Sequence, residues 1–343
     1  MSSISALWHA KNNPPLDPTH LSFRDKAVLV TGANSGLGHA AAIKYAKQGA
    51  NPLILAVRTA EKGETAKQAI ITETNCSPDI FVILTLDLAS FDSVRDFVAR
   101  LDNLVPKGLH VAQLAAGVAT WGFEKSTAGY EISVQVNVLS AALLAVLLLP
   151  ILQRARAGTN TAGEDGFVPH LSFVNSVASM EVTKDELEKA GVLPVSASKT
   201  SLVEWINDEN KFDNQRQYFL VKLAAWFVVQ GLVERNQTLE AGQRVVINAS
   251  DPGLCKTGML RSFPAVVRAI MAVKYWILGR SVEEGARTMV SATGLGTESI
   301  GKLWRNDGYS ELSELTESED GRELGRKTWD GVMGILRAGG YLQ

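Results

Sequence analysis

Residues 26–40 read KAVLVTGANSGLGHA. The run Ala27-Val28-Leu29-Val30 is short, apolar and β-branched, as expected of a strand buried on both faces. It breaks at once into Thr31-Gly32-Ala33-Asn34-Ser35-Gly36-Leu37-Gly38, and Ala40-Ala41-Ala42-Ile43-Lys44-Tyr45-Ala46 then reads as a helix. Strand, glycine-rich turn and helix, in that order, bring a helix N-terminus and free backbone N–H groups to the carboxyl end of a parallel strand. Such a place suits a phosphate group. The three glycines meet three needs: a tight turn, close approach of backbone to a pyrophosphate, and close packing of helix on strand. A glycine-rich turn with no ligand is the alternative reading. The flanking strand and helix, which the phosphate mechanism requires, favour the ligand.

Composition bounds the rest. The 343 residues are 46% hydrophobic and 20% charged, enough for a large core. The 34 basic and 36 acidic residues are intermixed and give a net charge of −2, which offers no electrostatic case for nucleic acid. Cys76 and Cys255 cannot make a disulfide framework and have no metal-ligand spacing around them, so no metal is expected and a reducing compartment fits. The polar N-terminus lacks the apolar core of a signal peptide. The longest apolar run, LSAALLAVLLLPIL at residues 139–152, is too short to span a bilayer and reads as a buried core helix. A cytoplasmic protein without a transmembrane segment is expected.

Apolar runs at residues 52–57, 80–86, 109–116, 170–174, 245–249 and 302–304 read as further strands, with helices between them. Ser90 is a natural N-cap for a helix whose stripe is Phe91, Val94, Phe97, Val98 and Leu101. A long helix is expected from about residue 129 to 152, a loop at 154–168, and a strongly helical segment at 218–235. The alternation predicts an α/β fold, a Rossmann-type doubly wound parallel sheet of about seven strands with helices on both faces. Residues 1–25 are expected to wrap the surface as an extension. Residues 26–310 form one domain, with an insert at 180–216 and a possible substrate lid at 257–280, and 311–343 a C-terminal helical tail.

At this point the chain resembles the short-chain dehydrogenase/reductase family, over nearly all of residues 22–305. The turn from Thr31 to Gly38 matches the family's TGxxxGxG, with Gly32, Asn34, Ser35, Gly36 and Leu37 between. Asp87, followed by Leu88, matches the acid that faces the adenine. Ala116 and Gly117 stand where the family has the end of Asn-Ala-Gly; here the turn is Ala115-Ala116-Gly117, and a weaker turn is expected. Asn137 matches the long-helix asparagine, Ser176 the catalytic serine, and Tyr218-x-x-x-Lys222 the catalytic pair. Pro252, Gly253, Leu254 and Thr257 match the segment bordering the nicotinamide. The polar lead, the long serine-to-tyrosine interval and the phrase DPGLCKT are similar to the filamentous-fungal branch that tailors polyketides and related metabolites. A decoy, Val195-Ser196-Ala197-Ser198-Lys199, lies in that interval, but has valine where the phenol must be.

The spacing of Tyr218 and Lys222 puts both on one helical face. A free phenol titrates near ~10, and a nearby ammonium is expected to pull it down. Tyr218 then exchanges a proton with a carbonyl or alcohol oxygen that Ser176 holds. The resemblance alone gives Asn137 its role, anchoring a water that links Lys222 to solvent. Arg58 ends the second strand, where an acid would accept from the 2′-hydroxyl of NAD; an arginine pairs instead with the 2′-phosphate, so NADP (NADPH) is the expected cofactor. Trp121, Phe123, Met180, Met259 and Phe263 surround the expected mouth and imply a bulky apolar or aromatic small-molecule substrate. The segment 259–278 reads as a lid, as a helix packed on the core or at a dimer contact, or as a membrane-facing surface carrying Arg261, Arg268, Lys274 and Arg280. The long apolar helix and the Tyr218 helix are candidates for a homo-oligomer interface. The expected activity is reduction of a ketone in a fungal secondary-metabolite intermediate. A non-redox step, namely dehydration, cyclisation or epimerisation, is the alternative, and a scaffold protein that kept the fold is a third reading.

Overall fold

The computed structural model describes residues 4–157, 167–198 and 200–342. Helix α1 (Ile4–Asn12) precedes β1 (Val28–Thr31) and α2 (Gly36–Lys47), and then come β2 (Leu53–Val57), α3 (Ala60–Thr74), β3 (Phe81–Thr85), α4 (Phe91–Leu104) and β4 (Val111–Leu114). The long apolar helix is built as one turn, α5 (Ile132–Val134), a π-turn at Gln135–Leu139, and α6 (Ser140–Ala157). Next come β5 (His170–Val174), α7 (Lys184–Lys189), α8 (Leu202–Ile206), α9 (Gln217–Gln237) and β6 (Val246–Ser250). The chain closes with α10 (Ala265–Leu278), α11 (Val282–Ala292), β7 (Leu303–Arg305), β8 (Gly308–Tyr309), α12 (Glu314–Glu317) and α13 (Glu319–Ala338).

The strands form one sheet in the order β3-β2-β1-β4-β5-β6-β7-β8, parallel except between β7 and β8. Side chains alternate across it as a pleat requires. Leu29, Ile54 and Ala56 face a core shared with α4, α6 and α9, whereas Val28, Val30, Leu53 and Leu55 face one shared with α2 and α11. The chain leaves β1 toward β2 and later returns to its other side with β4. That reversal opens a crevice at the carboxyl ends of β1 and β4, where ligands of doubly wound sheets sit. The eighth strand escapes the apolar pattern because it has two residues. Its turn is legible in retrospect: Asn306 and Asp307 have φ of 50° and 59°, the left-handed pair that a tight hairpin needs.

Other expectations are corrected in detail. Residues 1–25 include a helix, α1. The long helix starts at Ile132 rather than 129, is widened at Asn137 by the π-turn, and runs on to Ala157, beyond the expected loop start. Residues 158–166 of that loop, and Lys199 of the decoy, lie outside the described residues. Taken alone, Ile132–Arg156 is apolar and long enough to cross a membrane, yet 78% of its most apolar stretch is buried inside the fold. The tail helix α13 packs along α9. A methyl group at Gly231 would stand 2.3 Å from the Trp329 ring, and one at Gly325 would stand 2.9 Å from Phe227, so two glycines set this close approach. One side of α9 is thus covered by the chain's own tail.

Candidate active site

The half of the crevice beside β1 is made largely of backbone. Gly32 and Gly36 have φ of +68° and +56°. A Cβ on Gly38 would lie 2.5 Å from the Gly32 carbonyl oxygen, so any side chain there would break the turn. Ser35 stands extended at the N-cap of α2 but makes no side-chain cap bond. The first N–H groups of α2 therefore point out of the turn with nothing from Ser35 to satisfy them, a donor set that fits a phosphate. Asn34 lies in the same turn, and Leu37 packs toward α11. Thr31 closes the turn against β4, its hydroxyl accepting from Ala115 N–H and Ala116 N–H, both at 2.9 Å. Asn137 reaches back from the π-turn, accepting from Val118 N–H at 3.0 Å and donating to Val118 C=O at 2.7 Å. Thr31 and Asn137 thus hold the Ala115-Ala116-Gly117 turn at its two ends, through Ala115, Ala116 and Val118. Gly117 is compressed under the amide, since a Cβ there would lie 2.8 Å from Asn137 Oδ1. Arg58 is exposed one residue past β2, and Thr31 pairs with Ala56, so Arg58 stands beside the turn. Asp87 accepts from Ala89 N–H at 3.0 Å, and Leu88 is buried.

The other half is made of side chains. Ser176 follows β5, its N–H donating to Asn175 Oδ1 at 2.9 Å and its hydroxyl accepting from Ala178 N–H at 3.2 Å. Tyr218, at the start of α9, stands next to the Ser176 side chain. One turn on, Lys222 donates to Val174 C=O at 3.0 Å and its Nζ lies 6.0 Å from the Tyr218 ring centroid. Burial pushes the Tyr218 phenol up to about 12, with the neighbouring Ser176 hydroxyl opposing, and burial pulls the Lys222 ammonium down to about 8. The expected lowering of the phenol is not found: desolvation outweighs the neighbouring Ser176 hydroxyl, and burial makes the Lys222 cation itself hard to keep charged. Between the two halves lies a cavity of about 30 Å³, room for one water. Thr31, Leu88, Ala116, Asn137, Asn175 and Lys222 are among the residues lining it. Asn175 Nδ2 there is a buried donor without a protein partner.

Two acids escaped the sequence reading. Glu131 is fully buried and caps α5, its carboxylate accepting from Ser133 N–H and Val134 N–H at 3.0 Å each, Thr120 Oγ1 at 3.0 Å and Gln217 Nε2 at 3.1 Å. It joins the loop after β4, the Asn137 helix and the residue before Tyr218. Nothing in its local sequence marks it, because its partners come from distant segments. Asp251 had a signal, its place just before Pro252-Gly253. It accepts from Gly253 N–H at 3.0 Å and lies 3.1 Å from Arg305 Nε, an ion pair too bent to count as a hydrogen bond. Gly253 has φ +76°, Leu254 C=O accepts from Arg280 N–H at 2.8 Å, and a Cβ on Gly36 would meet Thr257 at 3.6 Å. The segment after β6 therefore adjoins the glycine turn.

The apolar residues divide. Trp121 and Phe263 meet, ring centroids 5.4 Å apart, with Ser262 Oγ donating to Ala119 C=O at 3.4 Å. Met259 is held by its N–H on Thr257 Oγ1 at 3.4 Å. Phe123 turns instead to Phe212 of the insert, centroids 5.7 Å apart, and Met180 takes a weak bond from Thr316 Oγ1 at 3.7 Å in the tail. The structure brings the first three together around the post-β6 segment and draws the last two elsewhere.

Comparison with known proteins agrees with this architecture. A solved structure of an uncharacterized protein from Mycobacterium Paratuberculosis superposes with a TM-score of 0.63 at 20% identity, covering 95% of this chain and 96% of that one. L-Sorbose reductase from Gluconobacter frateurii, solved with NADPH and L-sorbose, superposes at 0.57 with 17% identity, covering 85% and 98%. These likenesses show a Rossmann-type fold. The family model described as short chain dehydrogenase matches residues 26–179. The short-chain dehydrogenase/reductase ffsI of Aspergillus flavipes is 36% identical over 98% of this chain and 92% of its own. Short-chain dehydrogenase sdnK of Sordaria araneosa is 33% identical over 97% and 96%. The chain belongs to the short-chain dehydrogenase/reductase family of oxidoreductases, with relatives of nearly equal length in filamentous fungi.

Proposed function

We propose that the chain is an NADP-dependent ketoreductase that reduces a bulky apolar or aromatic ketone, an intermediate of fungal secondary metabolism. The observation that carries the reading is the convergence of Ser176, Tyr218 and Lys222 at the mouth of the β1–β4 crevice. The glycine turn and the α2 N-terminus would hold the pyrophosphate, and exposed Arg58 the 2′-phosphate. When bound, NADPH supplies a hydride for a carbonyl carbon. Ser176 holds the carbonyl oxygen through its hydroxyl. Tyr218, kept protonated by its burial, donates its O–H proton to that oxygen as the carbon–oxygen double bond becomes an alcohol. Lys222 returns the proton to the phenolate, and the water-sized cavity against Asn137 and Asn175 gives it a route from solvent. The organisms and names of the relatives support the fungal setting, and the NADPH in the sorbose reductase structure supports the cofactor. The test is stoichiometry with a panel of aryl and polycyclic ketones: one NADPH oxidised per alcohol formed supports the reading. Product formed with no NADPH consumed would transfer the site to non-redox acid–base chemistry.

A further inference from the structure

Helix α10 is apolar almost all round. Arg268 and Lys274 are its only charged residues in fourteen. Val267, Met271, Tyr275 and Leu278 form a stripe turned toward the protein, of which only Leu278 is fully buried. Val266, Ile270, Val273 and Ile277 form a second stripe turned to solvent, with Val266 71% and Ile270 64% exposed, and Trp276 beside it 80% exposed. A helix of this composition is normally buried on every side. Helix α1 lies against α10: Lys11 Nζ donates to the Trp276 and Ile277 carbonyls at 2.6 and 2.9 Å, satisfying the helix end. Buried Arg280 ties down α1 by donating to Ala10 C=O through Nε and Nη2. The pair is one unit, and α1 adds Trp8, 54% exposed, and Ile4 to the apolar residues left in solvent.

Within the two segments that build this surface the charge has one sign, with Asp17, Asp251 and Glu283 at their ends. From Pro252 to Val282 the sequence contains no acid, while Lys256, Arg261, Arg268 and Lys274 are exposed; residues 4–16 contain no acid either. In a chain of net charge −2 this is a marked local asymmetry. A two-fold contact would set these cations against their own copies, which is costly. An anionic bilayer surface meets all three features at once: apolar side chains enter the acyl boundary, tryptophans take the interface, and lysine and arginine take the headgroups. We propose that α1 and α10 form a monotopic docking face for an anionic lipid surface. The face adjoins the segment carrying Thr257, Met259 and Phe263, so the mouth of the crevice lies at the membrane.

The test uses the full chain and vesicles of phosphatidylcholine, with and without phosphatidylserine, in a sedimentation assay. The protein is expected to pellet with the anionic vesicles and to be released by salt. Ile270→Glu with Val273→Glu, both solvent-facing, should weaken binding at least tenfold without lowering the melting temperature. Arg268→Glu with Lys274→Glu should weaken it on the order of a hundredfold on anionic vesicles. Failure to pellet with anionic vesicles overturns the proposal, as does binding that survives Ile270→Glu with Val273→Glu. A dimer in sedimentation velocity that those two substitutions dissolve also overturns it, in favour of a second copy as the occupant.

Discussion

The two halves of the crevice are made of different material. On the β1 side the working surface is backbone, shaped by glycines that leave room, and it breaks when atoms are added. On the β5 and α9 side the working surface is three side chains, Lys222 buried and Ser176 and Tyr218 half-buried, and it breaks when atoms are removed. A turn with no side chains can bind a group common to many enzymes but cannot transfer a proton. The side chains can, at a cost in stability that the fold must carry.

The largest break should come on the side-chain half. Tyr218→Phe removes one oxygen and should lower kcat by about a thousandfold, with NADPH affinity nearly unchanged in a binding titration. Next comes the backbone half. Gly38→Ala places a methyl group 2.5 Å from the Gly32 carbonyl oxygen, and the strain, about 1–3 kcal/mol, should raise the NADPH Kd by roughly tenfold to a hundredfold. Arg58→Ala sharpens the cofactor assignment: the KM for NADPH should rise about tenfold while that for NADH stays put, and an equal rise for both would remove the 2′-phosphate from the account.

The smallest effect tests the cost of the side-chain half. Lys222 titrates at about 8 in the fold against 10.5 unfolded, so between those values the unfolded chain binds more protons and stability rises with pH. Below pH 8 the buried charge is a full liability. Lys222→Met should therefore abolish turnover yet raise the melting temperature by a few degrees at pH 7. That gain should shrink as pH climbs from about 8 through 10.5, measured by thermal melts across the range.

The same division explains what could be read from sequence. The glycine turn is local: strand, turn and helix lie in one continuous stretch, Val28 to Lys47, so spacing alone revealed its shape. Ser176, Tyr218 and Lys222 were found as types at strand and helix ends, but their ionisation was misjudged. Spacing on one helical face says which groups are near each other; it does not say how much water the rest of the chain removes. Glu131 shows the limit most clearly, since its partners Thr120 and Gln217 lie 11 and 86 residues away. Two helices make a similar point about burial. Both Ser140–Ala157 and Ala265–Leu278 are strongly apolar, yet the first is wrapped by sheet and helices and the second lies open on one side. Composition told both that they needed cover, and only the fold tells which of them finds it within the chain.

The most direct test of the central claim follows one hydrogen. NADPH deuterated at its transferable position should deliver one deuterium per turnover to the carbinol carbon of the product, and Tyr218→Phe should slow that transfer without changing where the label goes. Product with an unlabelled carbinol carbon, or with hydrogen drawn there from solvent, would contradict the account.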